Sequence, residues 1–299
     1  MKKIAVIGSI NMDLSAAAEK IPLKGETISA SSLQYIPGGK GANQAVAAAR
    51  LGADVTMFGC VGDDAFGKTL IDNLSANGVH TDQIEILADE PSGLAMIVVA
   101  EKDNVITVVP GANRCVTCAY IDAHMDRIKE ADIILLQNEI PLDTVHYAVQ
   151  ILSACGKTII YNPAPAVKAD AFLAEHVSYL TPNEHEARIV LDDQESSLAS
   201  LLKKYDQKLI VTLGSRGVIA SENSRIITVS AIKADVVDTT GAGDTMNGAF
   251  AAALSMDMPF EETLVFANAA AGLSTQKAGA QAGMPSYEEV MATIGRQKA

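Results

Sequence analysis

Residues 131–162 read ADIILLQNEIPLDTVHYAVQILSACGKTIIYN, and their reading decides the fold. Ile133 to Leu136 and Thr158 to Tyr161 are short apolar runs of the kind carried by strands buried on both faces. Leu142 to Ala154, between them, repeats its apolar residues at helical spacing and stops just before Gly156. A strand, a helix and a second strand in this order make a parallel crossover unit. The same alternation extends outward in both directions. Ile4 to Ile7, Val55 to Val61 and Leu209 to Leu213 read as further buried parallel strands. Gly41 to Leu51, Lys68 to Asn77, Leu198 to Lys204, Ala242 to Leu254 and Glu261 to Thr275 read as helices. The pattern predicts an α/β fold: a doubly wound, mostly parallel sheet with helices on both faces. Two regions break it, Thr27 to Tyr35 and the pair Leu94 to Ala100 and Val105 to Val109 joined by a turn at Lys102-Asp103-Asn104. They read as antiparallel strands that form a small β-sheet lid over one end of a single domain spanning 1–299, with lid segments at roughly 12–37 and 92–110.

The chain has 299 residues, 48% hydrophobic and 20% charged, which excludes the disordered, collagen-like and disulfide-scaffold classes. Thirty-six acids against 23 Lys and Arg give a formal charge of -13, which repels nucleic acid and anionic membranes, and no basic patch offsets it. The expected partner is a small molecule, and an anionic one must be held by oriented backbone N–H groups and a few local cations. Met1 to Ala18 loosely imitates a secretory signal, but Gly8, Ser9, Asn11 and Asp13 interrupt its apolar region. The four cysteines make no disulfide framework, and Cys115-Val-Thr-Cys118 has no second pair or nearby His to complete a zinc site. Reduced thiols and a cytoplasmic location are the expectation, with a redox or metal role for that pair as the alternative.

Three stretches compete as phosphate sites. Gly62-Asp-Asp-Ala-Phe-Gly67-Lys68-Thr69 satisfies the P-loop pattern between a strand and a helix. Asp63 and Asp64 would however put two carboxylates into the loop whose N–H groups must surround a polyphosphate, so the stretch reads as an ordinary turn with acids at a helix N-terminus. A dinucleotide fingerprint is absent as well: Gly39-Lys-Gly41 and Gly241-Ala-Gly243 have Gln44 and Met246 where the third small residue belongs, and neither follows the first strand. The third stretch is Asp238-Thr239-Thr240-Gly241-Ala242-Gly243-Asp244, immediately before an apolar helix. Its glycines free the backbone to aim several N–H groups at one point, an anion hole able to receive a transferring phosphoryl group. Asp244 falls in the first helical turn, where a carboxylate can accept the proton of an attacking hydroxyl; the bland alternative is an ordinary first-turn Asp.

That motif has a companion in Gly38-Gly39-Lys40-Gly41-Ala42-Asn43-Gln44-Ala45, and in this order and spacing the two resemble the signature patterns of the ribokinase-like carbohydrate kinase family. The resemblance continues through Gly8-Ser9-Ile10-Asn11-Met12-Asp13, Asn138-Glu139-Ile140-Pro141, Pro182-Asn183-Glu184-His185-Glu186, Thr212 to Gly217, Asn268 and Lys277-Ala-Gly-Ala-Gln281, so it covers almost the whole chain. Met246 departs from it, standing where the family often has an aromatic residue.

The resemblance implies roles residue by residue. Asn11 and Asp13 match the ligands of a sugar diol, for which one carboxylate can accept from two neighbouring hydroxyls, with a strand-end Asx turn as the alternative. Gly39, Lys40, Gly41 and Asn43 match the second wall of the sugar site, with Lys40 also facing developing phosphate charge, and Glu139 matches a further sugar contact against the rival reading of a surface Glu. Asp244 matches the catalytic base, and Gly241, Ala242 and Gly243 the anion hole, formed by the N–H groups of Ala242, Gly243 and Asp244. Thr212, Leu213, Gly214, Ser215, Arg216 and Gly217 match a phosphate and ribose loop, Asn268 a contact near adenine, and Asn183 with Glu186 an element of the Mg2+ and phosphate environment. Position 189 is Ile, so His185 opens no HExxH zinc helix. Asp238 and Thr240, with main-chain oxygens around Ser274, Lys277, Gly279 and Gly283, match a monovalent-cation site.

What the resemblance implies for function is ATP-dependent phosphorylation of D-ribose at its primary hydroxyl, with Mg2+, with K+ as activator, and with a homodimer formed through the lid. A kinase for another sugar or a nucleoside, and a catalytically silent binding protein, are the alternatives; retention of Asp244 speaks against silence.

Overall fold

The structure is a computed structural model that describes residues 1–100, 103–168 and 171–298. Its centre is a six-stranded sheet, all parallel, in the order Tyr179–Leu180, Thr158–Asn162, Ile133–Gln137, Lys3–Ile7, Asp54–Gly62, His80–Leu87. Period-two alternation along the central strand sorts its side chains to two cores: Ile4 and Val6 enter one cluster, Ala5 and Ile7 the other. Helices Lys40–Arg50, Ala242–Ser255 and Phe260–Ser274 cover the first face, and Cys118–Ile128 and Leu142–Ala154 the second. The doubly wound expectation is therefore met, and the crossover unit of residues 131–162 has the boundaries read from its sequence to within a residue.

Three expectations are corrected, and one strand is added that the sequence pattern does not show. Leu209 to Leu213 is no full parallel strand: only Val211–Thr212 pairs regularly, antiparallel to Val218–Glu222 in a separate sheet completed by Arg225–Val229. The chain turns back at once through Gly214–Arg216 into its own return strand, while on its other side it keeps a parallel approach to the last strand of the main sheet: the Leu180 N–H donates to Lys208 O at 2.9 Å, the Ile210 N–H to Leu180 O at 2.9 Å and the Thr212 N–H to Pro182 O at 3.0 Å, which gives isolated parallel bridges at Leu209 and Thr212. His80–Leu87 escapes the sequence pattern, because this edge strand is half exposed and reads HTDQIEIL, without an apolar run. The helix expected from Lys68 begins at Ala65, capped by Asp64. The lid, finally, is a four-stranded sheet in the order Ala30–Gly38, Asn11–Ala18, Gly93–Ala100, Asp103–Val109. Its outer pairs are antiparallel as expected, but its central pair, Asn11–Ala18 with Gly93–Ala100, is parallel because each strand enters the lid from the same end of the main sheet. Lys102 of the expected turn lies outside the described residues.

Among the described residues, no helix is long and apolar enough to cross a membrane.

Candidate active site

The site is built where the strands end, in the crevice outside their carboxyl ends. The first strand stops at Ile7, and the turn Gly8 to Ile10 leads into the lid strand at Asn11. Helix Lys40–Arg50 starts directly on that turn: Ala42 donates its N–H to Ser9 O at 2.9 Å, and a Cβ on Gly41 would lie 2.7 Å from the Gly8 carbonyl carbon. This backbone contact is why glycine stands at 41. Glu139, just past the strand Ile133–Gln137, closes the arrangement. Its Oε2 accepts from Ser9 Oγ at 2.6 Å, from the Lys40 N–H at 3.0 Å and from Asn11 Nδ2 at 3.5 Å. Glu139 is thus a half-buried carboxylate on the positive end of a helix, which argues against the surface reading.

Asn11 is buried, and its Oδ1 accepts from Asn113 Nδ2 at 2.7 Å. Asn113 also bonds both backbone groups of Ile10, at 2.8 and 3.2 Å. Sequence reading misses Asn113, which lies in the short helical turn Gly111–Cys115, since a lone Asn carries no pattern. Asp13 sits half-buried against Gly38, on which a Cβ would lie 2.4 Å from Asp13 Oδ2. Burial, helped by Glu139 and Asp244 and opposed by Lys40, pushes the Asp13 carboxyl up to about 7. The Asp244 carboxylate, with help from Glu139, Glu186 and Asp13, holds the Lys40 ammonium above its ordinary range against the effect of burial. The structure therefore brings Asp13, Lys40, Glu139, Glu186 and Asp244 within electrostatic reach of one another.

Asp244 is the third residue of helix Ala242–Ser255 and is 7% exposed. Its Oδ2 accepts from Asn43 Nδ2 at 2.9 Å and its Oδ1 from Gln44 Nε2 at 3.1 Å. Gln281 Nε2 donates to Asn43 Oδ1 at 3.0 Å, so both ends of the Asn43 amide are tied to side chains of the site. Neither Gln44 nor Gln281 has a role that the sequence alone assigns. Gly241 precedes the helix at φ +75°, a conformation that favours glycine, and no side chain caps the helix. Ala242 closes a turn onto Thr239 O at 3.2 Å, which leaves the Gly243 and Asp244 N–H groups as the uncapped donors of the expected three.

Beside that helix end lies a cleft of about 640 Å³ lined by Thr212, Gly214, Ser215, Gly217, Ala242, Gly243 and Asn268 from the expected set. Its apolar wall of Ile232, Ala234, Met246, Ala271 and Gly272 carries no sequence signal beyond the departure at Met246. Asn268 Nδ2 donates to Ser230 O at 2.8 Å, fixing the segment that carries this wall. Leu213 and Arg216 do not line the cleft; Leu213 pins the turn through its N–H to Gly217 O at 2.7 Å, and Arg216 pairs with Glu184. Asn183 and Glu186 form a reciprocal cap on helix Glu184–Val190, each side chain accepting the other's N–H at 2.8 Å. The Glu186 oxygen in that cap is Oε2, which leaves Oε1 outside it.

Asp238 accepts from Thr240 N–H and Gly279 N–H, both at 2.8 Å, which binds the loop before Gly241 to the segment after Ser274. Burial pushes the Asp238 carboxyl up, yet the Gly279 N–H, the Thr240 side chain and the Thr240 N–H together hold it below its ordinary value. Gly283 packs against Ser274, where a Cβ would lie 2.0 Å from the Ser274 carbonyl oxygen. Lys277 is exposed.

The P-loop look-alike is a helix cap. Asp64 Oδ1 accepts the Gly67 N–H at 2.7 Å and the Ser92 hydroxyl at 2.7 Å, and Oδ2 accepts the Ser92 N–H at 2.8 Å, while Lys68 reaches to Asp72 at 2.8 Å on the surface. Lys68→Ala should leave turnover and ATP affinity within about threefold of wild type in steady-state kinetics, since it removes one exposed pair worth little. Loss of ATP binding would reverse this reading. Cys60, Cys115, Cys118 and Cys155 are free thiols, and among the described residues no group of three or more His, Cys, Asp or Glu is placed to hold a metal.

Residues 1–287 match the family described as pfkB family carbohydrate kinase. A ribokinase of Bacillus subtilis is 48% identical over 290 residues, covering 97% of this chain and 98% of the relative. A ribokinase structure from Thermotoga maritima superposes with a TM-score of 0.91 at 34% identity, covering 99% of this chain and all of the other. A ribokinase of Arabidopsis thaliana, solved with ribose and ATP, superposes with a TM-score of 0.89 at 33% identity over 98% of each chain.

Proposed function

Since this chain belongs to the pfkB family of carbohydrate kinases, we propose that it transfers the γ-phosphoryl group of ATP to the 5-hydroxyl of D-ribose, giving D-ribose 5-phosphate. The single observation that carries the proposal is the placement of Asp244 beneath an uncapped helix end, between the crevice of Asn11, Asp13 and Glu139 and the cleft walled by Ile232, Ala271 and Asn268. Sugar and nucleotide have separate sites that meet at one carboxylate.

In this reading Asp13, Asn11, Glu139 and the Asn43 amide hold the sugar hydroxyls. Asp244 accepts the proton of the 5-hydroxyl as that oxygen attacks the γ-phosphorus, and the bond to the β-phosphate oxygen breaks. The N–H groups of Gly243 and Asp244 receive the charge gathering on the equatorial oxygens, with Gly241 and Ala242 setting the turn. Lys40 keeps its charge beside them. Thr212 to Gly217 and Asn268 hold the nucleotide in the apolar cleft. Mg2+ would be held through phosphate and water oxygens, with Glu186, whose Oε1 lies outside the helix cap, as an outer carboxylate, and it would supply positive charge beside the transferring phosphoryl group. We read 1–299 as one catalytic domain whose lid, roughly residues 12–37 and 92–110, excludes water when it closes over the sugar. Four free thiols fit a cytoplasmic setting.

An ATP-consumption screen over ribose, deoxyribose, fructose, ribose derivatives and nucleosides tests the acceptor. Ribose should give the highest kcat/KM; a preference for a nucleoside would leave the kinase and remove the substrate.

The loop tied by Asp238 supports K+ as activator. An ion held by Asp238 and Thr240, and by carbonyls around Ser274, Lys277, Gly279 and Gly283, would stiffen the loop that aims the anion hole. Exchanging KCl for NaCl at constant ionic strength should lower turnover several-fold in wild type and change little in Asp238→Ala; equal rates in both salts for wild type would eliminate the site.

The lid also carries the proposed homodimer. Every residue of Asp103–Val109 is exposed, including Val105, Ile106, Val108 and Val109, and Leu33, Tyr35 and Met96 on neighbouring lid strands are exposed too. Ile106→Glu should convert a dimer to a monomer in analytical ultracentrifugation, and a monomeric wild type would refute the interface.

A further inference from the structure

The carboxylate at 244 is gripped by a side chain that no motif assigns a task. Gln44 is fully buried on helix Lys40–Arg50, and its Nε2 donates both to Asp244 Oδ1 and to Asn162 Oδ1, each at 3.1 Å. Its Oε1 accepts from Gln137 Nε2 at 2.7 Å. All the hydrogen-bonding capacity of this amide except one acceptor lone pair is engaged, so it cannot turn without breaking three bonds.

The orientation of the chain is imposed by a fixed backbone acceptor. Asn162 Nδ2 donates to the main-chain carbonyl of Thr181 at 3.1 Å, which can only accept, so Asn162 must present its oxygen to Gln44. Gln44 must then present its nitrogen to Asn162, and the second hydrogen of that nitrogen points at the carboxylate. Gln137 conforms at a cost: its own Oε1 is buried with no hydrogen-bond partner. A flip of Gln137 would set its oxygen against that of Gln44, and a flip of Gln44 would set an oxygen against the carboxylate. The ends of neighbouring strands, at Gln137, Asn162 and Thr181, thereby make the helix that bears Gln44 deliver a permanent N–H to one oxygen of Asp244.

We infer that Gln44 is the positioning residue of Asp244: a flip-locked amide that fixes the plane of the carboxylate and leaves its free lone pairs aimed at the acceptor hydroxyl. The inference rests on the assignment of Asp244 as the base. Gln44 is fully buried and does not line the nucleotide cleft, so its loss falls on the chemical step and not on binding.

The test compares Gln44→Met, which keeps the length and removes the donor, with Asn162→Leu, which removes the acceptor that orients Gln44 and leaves Gln44 itself in place. Steady-state kinetics with ribose and ATP should show kcat lowered about 10- to 100-fold in Gln44→Met, the size expected for a lost hydrogen bond to a charged group, with both KM values within about threefold. Asn162→Leu should show the same split at smaller amplitude. Introduced into Asp244→Asn, where no carboxylate is left to hold, Gln44→Met should lower the residual rate by less than about threefold. Wild-type kcat in Gln44→Met, or a rise in KM with kcat unchanged, overturns the inference. If Gln44→Met does not fold, Asn162→Leu decides alone, with an unchanged kcat as the contradicting result. Near-normal turnover of Asp244→Asn by itself would instead sink the base assignment, so the two failures are distinct.

Discussion

Asp244→Asn is expected to lower kcat by a factor on the order of 10² to 10⁴, the usual worth of a positioned base, while sugar affinity stays within a few-fold of wild type. The geometry adds a second signature. Both carboxylate oxygens accept an amide N–H, one from Asn43 and one from Gln44. An amide at 244 has a single oxygen, so its NH2 group must face one of those donors. This buried clash should cost about 1–3 kcal/mol of stability, visible as a lower denaturant midpoint with unchanged slope. Loss of rate together with modest loss of stability is the predicted pair. Turnover near that of wild type would mean that another group takes the proton.

Replacing Asp13 should act in the opposite sense on stability and strike the sugar instead. Two hydrogen bonds from a diol to one carboxylate, each worth about 1.5–3 kcal/mol, imply a loss of ribose affinity of about 10²- to 10⁴-fold in Asp13→Ala. The free protein should become more stable. The Asp13 carboxyl is pushed up to about 7, so the folded chain binds this proton more tightly than the unfolded chain, and stability falls as pH rises from about 4 through about 7. Asp13→Ala removes that penalty, and its gain should grow across the same window and level off above it. In the wild type, hydroxyl donors favour the ionised carboxyl. Sugar binding should release about half a proton at about pH 7 and weaken about tenfold between about pH 8 and pH 6. Calorimetry in two buffers of different ionisation enthalpy reads the proton directly, and a zero difference would show that Asp13 does not meet the diol.

The legible parts of this protein are those in which sequence pattern and physical role coincide. Strands buried on both faces announce themselves as apolar runs, which is why Ile4 to Ile7 and Ile133 to Leu136 can be placed from sequence. Glycines forced by backbone contact or positive φ, such as Gly41 and Gly241, stand inside motifs for the same reason that the site needs them. The illegible parts depend on partners distant in sequence. His80–Leu87 is a strand only because Asp54–Gly62 offers it a ladder. The parallel centre of the lid follows from two strands more than seventy residues apart leaving the main sheet at the same end. Gln44 looks like a failed fingerprint position until Asn162 and Asp244 close on it across more than a hundred residues. Asn113 and the apolar wall around Ile232 and Ala271 likewise acquire meaning only from what they face.

One carboxylate joining a ribose site to an ATP site should move the γ-phosphoryl group to O5 and to no other oxygen. Phosphorus and carbon NMR of the product formed by the purified protein from ribose, ATP, Mg2+ and K+ reads that outcome at the atom concerned. A single phosphomonoester coupled to carbon 5 is expected, formed in equal amount with ADP, and none from Asp244→Asn on the same timescale. ATP hydrolysis without a sugar phosphate, or an ester at carbon 1, would refute the proposed transfer.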